Sequence, residues 1–269
     1  MAQHRRKPEE ARRDGSNPAF KWILIAVAVL GVVGIGYSIW SAKAGGAATG
    51  PVTLDDVDPQ AIAEQAQPVR KGSASATVQI VEFADYQCPG CAYFATTVGR
   101  PIRAAYVDSG LVQMVYYDYP ITSAHPHAFL AARAARCAGD QELYWEMHDM
   151  LYARQQEWSL DRTAPVERYT GYAQSIGADA DAFEDCLRSE RYADVVTANA
   201  LLGEQLGVRS TPTIFLNGRS VGEAWSDFGR MRQLIDGALA DGPRPSGAAP
   251  APVDSPDGQG AVPASPSGP

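Results

Sequence analysis

The stretch TVQIVEFADYQCPGC, running from Thr77 to Cys91, decides how the rest of this chain reads. Thr77–Ala84 is apolar and β-branched with little alternation, the pattern of a buried strand. The next three residues break that pattern, and Cys88-Pro89-Gly90-Cys91 comes at once after them. Proline suits a first helical turn, where a missing N–H leaves nothing unsatisfied. A helical stretch is expected from Ala92 to about Ser109, which puts Cys88 at a helix N-terminus. Free N–H groups and the positive end of the helix dipole favour a thiolate there. Cys91, one turn on, is expected to be more buried and to act as the resolving thiol. Attack on a substrate would pass through a mixed disulfide on Cys88, which Cys91 then closes.

A Cys-x-x-Cys pair also serves zinc sites, but structural zinc usually draws four ligands from two such pairs. The remaining cysteines, Cys137 and Cys186, lie far apart in helical patterns, and His125, His127 and His148 offer no paired spacing with them. Neither a metal nor another cofactor is expected. The three histidines read as helix-surface or capping residues.

Outward from the motif, Leu111–Tyr119 is a second strand, ended by Pro120. From about His125 to Leu206 the periodicity is helical, with candidate helices at 126–138, 140–154, 164–176, 179–188 and 190–206, and Gly139, Gly177 and Gly207 as stops. Thr213–Leu216 is a strand, Asn217-Gly218 a hairpin turn, Ser220–Gly222 its partner, and 225–240 a last helix. Strand, Cys-x-x-Cys, helix, strand, helical block, proline, strand, turn, strand, helix is the α/β order of a thioredoxin-like fold with a helical insertion at about 122–206. In that setting Thr211-Pro212 is expected to be a cis peptide. Its loop would lie against the cysteines and pair its backbone with a bound substrate chain.

The flanks differ from this core. Trp22–Trp40 is 19 residues without a charge, about 28 Å as a helix and close to the hydrocarbon thickness of a bilayer. Basic residues crowd the side before it (Arg5, Arg6, Lys7, Arg12, Arg13 and Lys21), with only Lys43 nearby on the other. The positive-inside rule then keeps residues 1–21 cytoplasmic, makes 22–40 a single-pass membrane anchor and exports the chain beyond it. Ala42-Lys43-Ala44 also fits a cleavage site, and a cleaved signal peptide exports the same domain. Residues 41–64 are expected to be a linker with at most one short helix, 65–240 the folded domain, and 241–269 a disordered Pro/Ala/Gly/Ser-rich spacer. Up to Lys43 there are seven Lys and Arg against three acids; from Ala44 on, 16 basic residues face 28 acidic ones. So acidic a domain repels a phosphate backbone, which argues against nucleic-acid binding.

Three separated stretches then carry a resemblance: Val81–Cys91, the run from His125-Pro126-His127-Ala128 through Trp145-Glu146-Met147-His148-Asp149, and Gly207-Val208-Arg209-Ser210-Thr211-Pro212-Thr213. Over about 65–240 the chain resembles the DsbA-like thiol–disulfide oxidoreductases of the thioredoxin superfamily, in their membrane-anchored, actinobacterial form. The resemblance implies an enzyme that introduces disulfides into reduced or unfolded exported proteins through Cys88–Cys91, with Thr211 and Pro212 against the substrate. It also implies reoxidation by a quinone-linked membrane partner of the DsbB or vitamin K epoxide reductase type.

Glu82, on the strand entering the site, would share a face with Ala84 and Tyr86. A desolvated carboxyl there could ferry the Cys91 proton, a role the likeness supports; otherwise it is a solvent-facing or ion-paired strand residue. Cys137 and Cys186 either pair or are buried apolar residues, and the likeness implies a structural disulfide. One departure stands out. DsbA has a histidine between its cysteines, whereas Pro89-Gly90 supplies no cation, so a milder oxidant is expected. Two other readings remain. One is a disulfide reductase or isomerase on the same site, the latter with only residues 44–68 to dimerise through. The other is a chaperone-like module in which the cysteines are incidental.

Overall fold

The computed structural model describes residues 22–25, 27–35 and 47–242. The chain falls into two units, 1–46 and 47–269. In the first, residues 22–25 and 27–35 are helical, and their apolar side chains are exposed. Among the described residues no helix is long and apolar enough to cross a membrane. The rest of the expected anchor, residues 1–21 and the spacer from 243 on lie outside the described residues.

The second unit is built on a five-stranded sheet in the order β1-β3-β2-β4-β5. Its strands are β1 (Val69–Lys71), β2 (Val78–Ala84), β3 (Val112–Asp118), β4 (Thr213–Leu216) and β5 (Arg219–Ser220). β2 and β3 run parallel, and the other pairings are antiparallel. β2 is central and buried on both faces, which is why its sequence shows no alternation. Val81 and Phe83 point to one side, packed with Val115, Tyr119, Val208 and Phe215. Ile80 points to the other, among Phe94, Val98, Ile102 and Met231. Alternation puts Glu82 on this second side, between Ile80 and Ala84.

The helical run after the cysteines is not a plain α-helix. It opens as α2 (Pro89–Tyr93), widens into π turns over Phe94–Gly99 and Arg103–Val107, and keeps α-geometry at α3 (Arg100–Ile102) between them. Pro101 has no N–H to donate, and a widened turn before it accommodates the missing bond. The hairpin also ends differently from the expected 220–222 strand. β5 stops at Ser220, and Gly222, at φ +52°, leads into a 3₁₀ turn, Gly222–Ser226, before the last helix.

The insertion comprises α4 (Ala128–Gly139), α5 (Tyr144–Ala153), α6 (Gln155–Trp158), α7 (Val166–Ser175), α8 (Ala180–Arg188) and α9 (Ala193–Gln205). Alanine-rich α4 is buried on every side up to Ala138, small side chains letting its neighbours approach closely. Its two buried arginines are fully engaged. Arg136 pairs with Asp118 at 2.6 Å and so ties the insertion to the end of β3. Arg133 donates to three backbone carbonyls, those of Ala48, Ser189 and Arg191. Cys137 on α4 is disulfide-bonded to Cys186 on α8.

The Arg133–Ala48 bond corrects an expectation. Residues 47–64 are not a free linker. Val52 N–H donates to Thr197 Oγ1 at 3.1 Å, and Leu54 is buried with Ala66 and Ala198. α1 (Pro59–Gln65), capped by Asp58, packs on α9. The chain then enters β1 against β3, a short edge strand that the sequence pattern did not reveal.

Candidate active site

β2 delivers the chain into the turn Asp85-Tyr86-Gln87, and buried polar side chains fix that turn from several directions. The Asp85 carboxylate accepts from Gln87 N–H (2.6 Å) and Ile121 N–H (2.8 Å), and meets His125 Nδ1 at 2.8 Å. Gln87 Oε1 accepts from His127 N–H, and its Nε2 donates to the Ser159 carbonyl. Gln155 Nε2 donates to the carbonyls of Tyr86 (2.8 Å) and Cys88 (2.9 Å). The helical insertion therefore does more than cover the sheet: it holds the backbone from which Cys88 projects. Without Gln155 the Tyr86 carbonyl would lose its partner, at a cost of about 1–3 kcal/mol.

Cys88 caps α2 with Pro89 at the first helical position. Its thiol, 9% exposed, stands 3.3 Å from the Thr211 carbonyl, to which it can donate. The Thr211–Pro212 peptide is cis. Hydrogen bonding from the Cys91 thiol, joined by a hydrogen bond from the Thr211 side chain and by the N–H groups of Cys91 and Gly90, draws the Cys88 thiol down to about 5 against the opposing effect of burial. Cys91 has no exposed surface, and Asp85 N–H points to its sulfur at 3.5 Å. Burial first, then the hydrogen bond and charge of Cys88, push the Cys91 thiol well above its ordinary value. Two thiols one turn apart are thus split, one poised to ionise and one held neutral.

Glu82 is 1% exposed, and its Oε1 has no hydrogen-bond partner in the protein. Burial raises its carboxyl to about 8, with Arg103 opposing. Arg103 itself is bonded to Asp149 at 2.6 and 2.8 Å. Around Glu82 and Cys91 stands an aromatic cage. Tyr86 stacks on Tyr152 (4.8 Å), Tyr116 and Tyr152 share a 2.8 Å hydrogen bond, and Tyr86 bonds to Tyr144.

Sequence reasoning did not find the tuning residues. His148, expected as a helix-surface or capping residue, is 1% exposed inside the aromatic cage, where burial lowers its imidazole below the ordinary value against the opposing bond to Asp149. His127 is buried at the redox turn. His125 is raised by its bond to Asp85 against the opposing effect of burial, and the charges of Asp85 and Cys88 raise it further. A signal was available: Asp85 and Gln87 immediately precede the cysteine, and short polar residues there must bond something. Among the described residues no three His, Cys, Asp or Glu side chains cluster so as to hold a metal ion.

Residues 64–237 match the family described as Thioredoxin. The chain belongs to the thioredoxin family. Within it, the chain is similar to DsbA-like proteins and disulfide bond oxidoreductases. A probable disulfide bond formation protein D of Bacillus cereus is 27% identical over 173 residues, 62% of this chain and 77% of that protein. The oxidised form of BdbD from Bacillus subtilis shares the fold, with a TM-score of 0.58 at 22% identity, over 72% of this chain and 99% of that one. A Na(+)/H(+) antiporter, NhaA 3 of Salinispora tropica, is 37% identical over 149 residues, 55% of this chain. The chain spans about a fifth (21%) of that antiporter's length.

Proposed function

We propose that the protein is a thiol–disulfide oxidoreductase that works on the outer side of a membrane, anchored by residues 22–40, and donates the Cys88–Cys91 disulfide to exported proteins. The observation that carries the reading is the split between the two thiols. A disulfide whose reduced form places a stabilised thiolate on Cys88 is an oxidising one, because reduction is then favoured. The acidic domain, the basic N-terminal flank and the uncharged stretch between them support the location.

In the proposed cycle a substrate thiolate attacks Cys88 Sγ of the oxidised protein. The Cys88–Cys91 bond breaks, a mixed disulfide forms on Cys88, and Cys91 leaves with the electron pair. Its sulfur, whose affinity for a proton is high, takes one from Glu82, which is neutral at pH 7. A second substrate thiolate then attacks the substrate sulfur of the mixed disulfide. The product disulfide departs, and Cys88 is released as the thiolate that its hydrogen bonds stabilise. Thr211 and Pro212 line the approach to Cys88. Restoring the disulfide takes two electrons out of the protein, the task of a quinone-linked membrane partner of the DsbB or vitamin K epoxide reductase type. Cys137–Cys186 takes no part and braces the insertion.

Reduced, unfolded ribonuclease tests the reading. The oxidised protein should restore ribonuclease activity stoichiometrically, and Cys88→Ser should abolish the effect. Equal refolding by Cys88→Ser would leave a chaperone-like module as the better description.

A further inference from the structure

Gly90, the second residue between the cysteines, has little room for a side chain. A Cβ built there would stand 3.2 Å from Pro212 Cδ, 3.5 Å from Trp225 Cη2 and 3.7 Å from Cys88 Sγ. The first of these is tighter than ordinary contact, and a proline ring is too stiff to give much. Three distant parts of the chain therefore converge on one point: the redox helix, the cis-proline loop and the 3₁₀ turn Gly222–Ser226. Trp225, from that turn, is half-buried. Together with Val221 and Phe228 it packs on the apolar cluster of Phe94, Val98 and Ile214. Its ring is thus held in place beside the redox pair while part of its surface stays open. A fixed, partly open indole is the kind of surface that anchors a partner at low entropic cost.

We propose that Trp225 contacts the substrate, its indole filling the space over Gly90 and selecting chains with an apolar residue next to the reacting cysteine. The inference rests on the disulfide-donor reading above and adds a substrate class to it. A substrate cysteine must bring its sulfur to Cys88 Sγ, and the hypothetical Cβ at Gly90 reports how near the indole edge is to that sulfur. The residue adjoining the substrate cysteine then lies over the indole. A leucine covers this apolar surface, whereas a serine leaves it wet. The same geometry accounts for the glycine: a larger dipeptide side chain would compete with the indole for one volume. Selectivity here comes from an aromatic wall rather than from the residue between the cysteines.

The test uses the purified, oxidised full chain and two dithiol peptides that differ only in Leu or Ser beside the attacking cysteine. For the wild type, kcat/KM for disulfide transfer should favour the leucine peptide about tenfold, the effect of about 1.4 kcal/mol. Trp225→Ala should bring the ratio close to one, and Trp225→Phe should keep most of the preference. The Cys88 thiolate titration should not move in either variant, which separates a contact with substrate from an effect exerted through the thiol. An unchanged ratio in Trp225→Ala overturns the proposal, as does a wild type that treats both peptides alike. A shift of the Cys88 midpoint by a pH unit or more alongside the lost ratio overturns it too. If the wild type oxidises neither peptide, the donor reading beneath the proposal fails first, a result the Trp225 variants do not mimic.

Discussion

At the scale of single residues, Glu82 carries the clearest conflict between stability and chemistry. A carboxyl held near 8 in the folded protein but near 4.5 in the unfolded chain makes the folded state bind the extra proton between those values. Stability therefore falls as pH rises from about 4.5 to about 8. Glu82→Gln removes the penalty, so it should stabilise the protein little at pH 4 and by roughly 3 kcal/mol at pH 7, read by denaturant titration at both values. The same variant should slow closure or opening of the mixed disulfide at Cys91 by about 10²-fold or more, since Glu82 is a buried carboxyl whose charge acts on that sulfur. Equal stabilisation at both pH values would mean that Glu82 does not carry the raised pKa. Cys88 supplies a second prediction. Thiolate absorbance near 240 nm in the reduced protein should titrate with a midpoint at about pH 5, and in Cys91→Ala, which loses the hydrogen bond that lowers it most, the midpoint should move upward. What was legible at this scale were the residues named by the motif. His125 and Trp225 were not, because each reaches the site through folding from 34 or more positions away in sequence.

At the scale of elements, periodicity revealed those that bury one face or lie wholly inside, and missed those defined by backbone detail. The central strand β2 and the helices of the insertion could be read because burial leaves its period in the sequence. β1 could not: three residues, only one strongly apolar, carry no pattern until β3 is beside them. The ordering of residues 47–58 was hidden for a related reason, since it depends on Arg133 donating to a backbone carbonyl, and a carbonyl has no letter in a sequence. The disulfide between α4 and α8 belongs to this scale. Its cysteines are 49 residues apart, so closing that loop restricts the unfolded chain by about 4 kcal/mol on the chain-entropy estimate. The double variant Cys137→Ala/Cys186→Ala should lose stability of that order in denaturant titration. The reduction potential of Cys88–Cys91 should stay where it was. A shift of that potential by tens of millivolts would instead give the second pair a redox role.

At the scale of the whole molecule, the proposal joins two features of different kind: a domain that splits two thiols, and a flank whose charge pattern would orient a membrane segment. The first sets the direction of electron flow. A Cys88 thiol near 5 lies between the values of about 7 for thioredoxin and about 3.5 for DsbA, and reduction potential tracks the stability of the thiolate. Equilibrated against glutathione, the Cys88–Cys91 pair should therefore lie above the −270 mV or so of thioredoxin and below the −120 mV or so of DsbA. With no histidine between the cysteines the pair is expected to be milder than DsbA, and with the hydrogen bonds at the helix start it is expected to remain an oxidant. A potential near that of thioredoxin would reverse the proposed direction, making the protein a reductase that needs an electron donor across the membrane. The second feature bears on where that chemistry would be done. In intact cells stripped of their wall, added protease should destroy the redox domain and spare a tag placed before Arg5. The full chain should stay with membranes in alkaline carbonate. Protection of both ends would place the thiols in a reducing compartment, where a pair this oxidising could not be held as a disulfide to donate.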